Sequence, residues 1–136
     1  MIKLSKMTDY AVVILDDMAA GDGKLMTASG LSEKTALPEP TVAKVLKRLA
    51  RGRMIESARG INGGYRLSKR PNDITMASII TALEGPVQLT SCVDGKDECC
   101  THMGTCSMKG KWNPVNAAMQ KALEDVSLAQ MMAGAQ

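Results

Sequence analysis

The chain has 136 residues, 45% apolar and 23% charged side chains and a formal net charge of +3, which is enough for one domain core and too apolar for general disorder. Its aromatics are Tyr10, Tyr65 and Trp112 alone, so the core must come from Leu, Ile, Val, Ala and eleven Met, a composition suited to a thin helical fold. The early apolar run Ala11 to Leu15 stops at Asp16 and Asp17, which excludes a signal peptide or membrane span and sets the expectation of a cytoplasmic protein with reduced thiols.

Thr8 is the expected N-cap of a first helix reaching about Ala20, with Tyr10, Val13, Ile14, Asp17 and Met18 on one face, ended by Gly21-Asp22-Gly23. A short helix fits residues 27–35, interrupted at Gly30, and Ala36-Leu37-Pro38 reads as a tight turn. From Pro40 as first helical residue, Val42, Val45, Leu46 and Leu49 form an apolar stripe while Lys44, Lys47, Arg48 and Arg51 take the other faces. Met54 to Arg59 and Tyr65 to Leu67 then read as two strands around Gly60-Ile61-Asn62-Gly63-Gly64, whose glycines and Asn supply positive φ at a hairpin tip. A nucleotide-binding role for that tip is disfavoured by the missing Gly-Lys-Ser/Thr and following helix. Thr75 caps a helix ending at Glu84 before Gly85-Pro86. The last helix opens with Asn113 as cap and Pro114 as first residue, and its stripe Val115, Met119, Ala122, Val126 predicts a dimer seam.

The modest net charge conceals an asymmetry. Residues 41–70 hold nine bases against the single acid Glu56, a local charge of +8, whereas residues 92–136 hold four bases and five acids. A one-signed patch of that density attracts a polyanion, since a merely solvated face usually alternates its signs. Helix, turn, basic second helix and hairpin is the order of a winged helix-turn-helix. Thr41 and Lys44 lie where such a helix faces base edges, Lys47, Arg48 and Arg51 where it faces phosphates, and Arg59 on the wing suits the minor groove. Half-site recognition by two-fold symmetric proteins adds to the expectation of a homodimer on double-stranded operator DNA.

Cys92, Cys99, Cys100 and Cys106 are the only cysteines, and with the only histidine, His102, they fall in one polar, glycine-containing stretch with little power to pack. Clustered thiols of this kind point to metal or redox chemistry. Soft thiolates suit iron–sulfur clusters, which take four protein ligands. Adjacent residues diverge in extended backbone, so Cys99 and Cys100 do not both serve one cluster, and three ligands is the safer count: Cys92, Cys106 and one of the neighbouring pair.

Leu4 to Ala11, the Lys47-Arg48-Leu49 helix end, the run Arg59-Gly60-Ile61-Asn62-Gly63-Gly64-Tyr65-Arg66-Leu67 and the cysteine loop before Trp112 resemble the IscR/NsrR-type iron–sulfur winged-helix regulators over essentially the entire chain. Leu83-Glu84-Gly85-Pro86-Val87 and the stretch from Cys106 to Trp112 are most similar to regulators of the SUF iron–sulfur assembly operon. The resemblance implies a mainly α fold with a small β-hairpin, a winged helix-turn-helix with a long C-terminal dimerisation helix. It implies a dimeric bacterial regulator, a repressor in the SUF case, holding a [2Fe–2S] or [4Fe–4S] cluster through three loop cysteines and one other group. The loop spacing is most similar to the family pattern with Cys100 as third ligand, Cys99 being the alternative. Where some members place a histidine after the last cysteine this chain has Lys109; others take an acid from the first helix of the partner subunit, and Asp9 occupies that place. Asp9 also suits the positive end of the helix dipole, and His102 is the local alternative ligand.

The expected organisation is a DNA-binding domain over 1–86, a cluster loop over 87–111 and a dimerisation helix with tail over 112–136. Competing readings are a zinc site, for which the paired C-x2-C knuckles are missing, a cluster-free thiol switch, and an iron–sulfur carrier or assembly factor. An enzyme is disfavoured by the lack of a nucleophile–base pair and by the single histidine. No small-molecule substrate is expected.

Overall fold

A computed structural model describes residues 2–93 and 104–134. Helix α1 spans Lys6–Ala20 and buries Thr8, Ala11, Ile14, Leu15 and Met18 at the three- and four-residue spacing of one helix face. It starts earlier than its sequence predicts. Ser5 is the N-cap, its Oγ accepting from the Thr8 N–H at 3.3 Å, while the Thr8 hydroxyl donates to Oε2 of Glu84 at 2.9 Å. Thr8 is therefore a buried tertiary contact and not a cap, and the inward stripe is shifted from the expected one, leaving Val13 exposed.

Helix α2 (Ala28–Thr35) is capped by Thr27, whose Oγ1 accepts from the Gly30 N–H, so Gly30 continues the helix instead of interrupting it. Ala36, in the left-handed region at φ 59°, makes the turn into α3 (Glu39–Arg51). Glu39 opens that helix and Pro40 takes its second position, one place further in than expected. Val42, Val45, Leu46 and Leu49 are completely buried; burial of such side chains is worth about 1.5–3 kcal/mol each, an upper figure given residual burial in the unfolded chain. This face packs α3 against α1, α2 and α4 and leaves its cationic faces to solvent.

Strands β1 (Ile55–Ala58) and β2 (Gly64–Leu67) pair antiparallel with Ile55 opposite Leu67 and Ala58 opposite Gly64. Met26 adds a bridge on the far side of β2, exchanging both backbone hydrogen bonds with Tyr65 at 2.8 Å. That approach explains Gly64: a Cβ there would stand 2.8 Å from the Met26 carbonyl oxygen, and one on Gly63 would collide with the Ala58 carbonyl. Of the tip residues only Gly60 uses positive φ, so Asn62, Gly63 and Gly64 do not have the role expected of them. Close backbone approach, a separate use of glycine, accounts for two of the three.

After a 3₁₀ turn over Pro71–Asp73, α4 (Met76–Glu84) begins at a capping box between Thr75 and Ser78 and ends at Gly85, φ 95°. Helix α5 (Asn113–Glu124) has Trp112 as its N-cap residue, with no side-chain cap bond, and Asn113 already inside. Val126 lies beyond its end, so the expected four-residue stripe is not one helix face; Val115 and Ala122 are exposed. A further helix, α6 (Leu128–Ala133), follows a Ser127–Gln130 capping box. Leu128 is wholly buried, its N–H donates to the Ile74 carbonyl at 2.7 Å, and the Met76 N–H donates to the Val126 carbonyl at 2.9 Å. The C-terminal segment is thus stitched into the same core as the first four helices.

Candidate nucleic-acid interface and cysteine segment

Two regions carry the sequence-expected site residues, and α4 lies between them. On the first, α3 presents Lys44, Lys47 and Arg51 to solvent, with Thr41 half-buried at its first turn. None of these cations has an ion pair among the described residues. Glu56, the lone acid of the basic segment, is taken by Arg66 at 2.7 Å across the hairpin, and Arg70 pairs with Asp73 at 3.2 Å. Such exposed pairs add about 0–1 kcal/mol to stability; their greater effect is that Glu56 does not neutralise α3 or Arg59. Arg59 is exposed beside the wing tip and unpaired among the described residues.

Arg48 differs from its neighbours. Its Nη1 donates to the Leu83 carbonyl oxygen at 2.9 Å, placing a cation on the C-terminal turn of α4, where free carbonyls and the helix dipole favour one. A guanidinium has five N–H donors, so the bond does not consume the group, but it fixes Arg48 as a strut between α3 and α4. Leu83 is followed by Glu84, whose carboxylate accepts from the Ser5 N–H at 3.0 Å and from the Thr8 hydroxyl at 2.9 Å. Consecutive residues therefore tie the end of α4 to the basic helix on one side and to the start of α1 on the other. Asp9, next to Thr8, is exposed on that same first turn of α1.

The second region begins where α4 ends. Asn116 on α5 is buried, its Oδ1 accepting from the Leu89 N–H at 2.9 Å and its Nδ2 donating to the Val87 carbonyl at 3.0 Å. This side-chain amide pins the approach to the cysteines as a paired strand would. Val93 is 1% exposed and anchors the chain just past Cys92. Cys92 is a half-buried free thiol with Sγ 3.2 Å from the Thr90 hydroxyl, and Cys106 is an exposed free thiol. From Cys106 a run of turns leads into α5, with the Lys109 N–H donating to the Cys106 carbonyl and the Lys111 N–H to that of Met108. Cys99, Cys100 and His102 lie outside the described residues.

The thiolates of Cys92 and Cys106 have the soft-donor chemistry that iron–sulfur clusters take. The described residues contain no group of three His, Cys, Asp or Glu that could hold a metal ion, so these two thiols need further donors.

The sequence reading missed Glu84 and Asn116. Glu84 gave no local signal, because its partners lie 79 and 76 residues away. Asn116 did give one: a short polar amide inside a helix is a poor helix former and calls for a side-chain partner.

A winged helix-turn-helix with this outline is shared by solved transcriptional regulators. The chain superimposes on CymR of Bacillus subtilis with a TM-score of 0.73 at 23% identity over the full length of both chains. It superimposes on IscR of T. potens with a TM-score of 0.69 at 26% identity, covering 99% of this chain and 89% of that one. Residues 4–134 match the model of the Rrf2 family, described as iron-dependent transcriptional regulators. The chain belongs to the Rrf2 family. Similar relatives include the HTH-type transcriptional regulator IscR of Aliivibrio salmonicida, 29% identical over 96% of this chain and 77% of its own length. The HTH-type transcriptional regulator NsrR of Bacillus subtilis is 26% identical over 96% of this chain and 90% of its own. As an Rrf2 member the chain is a transcriptional regulator and not an enzyme, and no helix among its described residues is long and apolar enough to cross a membrane.

Proposed function

We propose that this Rrf2 protein is a cytoplasmic, homodimeric repressor that binds operator DNA through α3 and the wing and whose affinity is set by an iron–sulfur cluster. The observation that carries the reading is the double tie at Leu83 and Glu84, which joins the basic helix to the start of α1 at the point where the chain departs for the cysteines. Thr41 and Lys44 face base edges, Lys47, Arg48 and Arg51 the phosphates, and Arg59 the minor groove. Cys92, Cys100 and Cys106 hold the [2Fe–2S] or [4Fe–4S] cluster together with Asp9 of the partner subunit, Cys99 and His102 being the alternative donors. When bound, the cluster supplies a redox-sensitive and oxidatively labile cross-link among these groups.

The residues of the chain do the rest. Asn116 ties Val87 and Leu89 to α5, Val93 is buried just past Cys92, and Glu84 holds the first turn of α1 against the end of α4. A change at the cysteines reaches α3 through Leu83 and Arg48, as a shift between two dimer geometries that differ in wing and recognition-helix spacing. The division into 1–86 for DNA, 87–111 for the cluster and 112–136 for dimerisation describes these duties, although the tail also completes the core. An apolar groove of about 600 Å³ lined by Leu4, Val12, Ile79, Ile80, Leu123 and Met131 supports the dimer, since an exposed apolar surface of this kind favours cover by a second copy. SUF assembly genes are the expected targets, from the resemblance of the Leu83 to Val87 and Cys106 to Trp112 stretches.

The test is anaerobic purification with iron and sulfide stoichiometry and Mössbauer spectroscopy, followed by operator affinity of reconstituted protein against Cys92→Ala at one salt concentration. A cluster in the wild type and unequal affinities are expected. Equal affinities would remove the cluster from the switch, and zinc or bare thiols in place of iron and sulfide would replace it with the zinc or thiol reading. Two half-sites about 10 bp apart in a footprint would exclude the carrier reading, and the absence of any footprint would return the chain to it.

A further inference from the structure

Ile61 is fully exposed, at 104% of its reference surface, while no other large apolar side chain among the described residues exceeds 71%. Its place is not a loose loop. The Gly63 N–H donates to the Gly60 carbonyl at 3.0 Å, closing a four-residue turn whose two central residues are Ile61 and Asn62. Below it, Gly63 fits against the Ala58 and Gly60 carbonyls and Gly64 against Met26, so the hairpin is backed on both sides up to the tip. The tip therefore holds a stiff branched apolar group forward of the body, two residues from Arg59, a cation without an ion pair among the described residues, and within the segment of charge +8.

Two properties together select the occupant. A β-branched side chain loses little rotamer freedom on insertion, and apolar wedges of this size enter between base steps from the minor groove and kink the duplex. The surrounding cations match phosphates and the negative minor groove, and would repel a second copy of the same tip. We infer that Ile61 is a wedge that enters the minor groove beside Arg59 and partly unstacks a flexible pyrimidine–purine step. The inference rests on the DNA-binding reading and deepens it: the operator is then selected in part by how readily the step under the wing opens, a preference that no hydrogen bond to a base edge supplies.

The experiment uses the full-length dimer and operator fragments, located by hydroxyl-radical footprinting, with 2-aminopurine placed in turn at each A·T position under the wing. Wild-type binding should raise fluorescence at one step. Ile61→Ser should keep the footprint and the salt dependence, lose the fluorescence rise and bind about tenfold more weakly, while Ile61→Leu should retain both. Arg59→Ala should instead flatten the salt dependence, since it removes a charge and not a wedge. No fluorescence rise in the wild type, equal behaviour of Ile61→Ser and wild type, or dissociation of the dimer by Ile61→Ser would overturn the wedge. Absence of any footprint is a different result, which overturns the DNA-binding reading and the inference with it.

Discussion

The basic winged part and the cysteine-bearing part of this molecule are held by different physics. In the first, contiguous residues bury a dense aliphatic face, with Val42, Val45, Leu46 and Leu49 all wholly inaccessible. In the second, residues 86–93 are held by the buried amide of Asn116 and by the burial of Val93. Close packing resists displacement in every direction, whereas a few hydrogen bonds permit discrete alternatives. The proposed function calls for that division, since α3 and the wing would keep their shape while the cysteine segment responds.

The comparison breaks most severely if the packed half is hollowed. Leu46→Ala should cost about 2–5 kcal/mol through the cavity it leaves, lowering the denaturation midpoint and removing DNA binding and cluster retention together. The polar half should fail separately. Asn116→Ala leaves the Val87 carbonyl and the Leu89 N–H without their buried partner, a loss of about 1–3 kcal/mol, and hydrogen exchange should quicken at residues 87–93 while α3 stays protected. If α3 exchanges equally fast, the two halves are one cooperative unit and the contrast is wrong. Glu84→Gln keeps an acceptor for one of its two partners and replaces the other by a donor, so about 1 kcal/mol is expected. Its sharper readout is the operator affinity ratio of cluster-loaded to cluster-free protein, which should move toward one if Glu84 transmits the signal. The smallest effect on stability belongs to Lys47→Ala, within about 0.5 kcal/mol; it should reduce the slope of log affinity against log salt by about one.

What the sequence disclosed follows the same line. Helices α2 to α4 and the wing were legible because their signals are local: the Val42 to Leu49 stripe, the Thr75 cap, the Gly85 stop. The start of α1 was misplaced because Thr8 has the chemistry of a cap and is used for a bond to Glu84, 76 residues away. Turn rules assign the tip glycines to positive φ, whereas two of them answer to the approach of Met26 and Ala58, contacts that no turn rule contains. The helix α6 was legible and overlooked, since Ser127 and Gln130 spell a capping box; the stripe ending at Val126 obscured it. Of the site, the cations and cysteines could be found by type and spacing. Asn116 and Glu84, which position them, depend on pairings that only the folded chain creates.

The return of the tail to Ile74 also has a bearing on synthesis. Leu128 fills the core that α1, α3 and α4 begin, and Val126 and Leu128 close hydrogen bonds on either side of residues 74–76. On a ribosome, a chain released only as far as α4 would carry the whole reading head but an open core. It could not complete that core until the cysteines had also left the exit tunnel, since every one of them precedes Leu128. Because domains fold as units during translation, the nascent protein would gain its finished core only after its cysteines were already exposed to the cell.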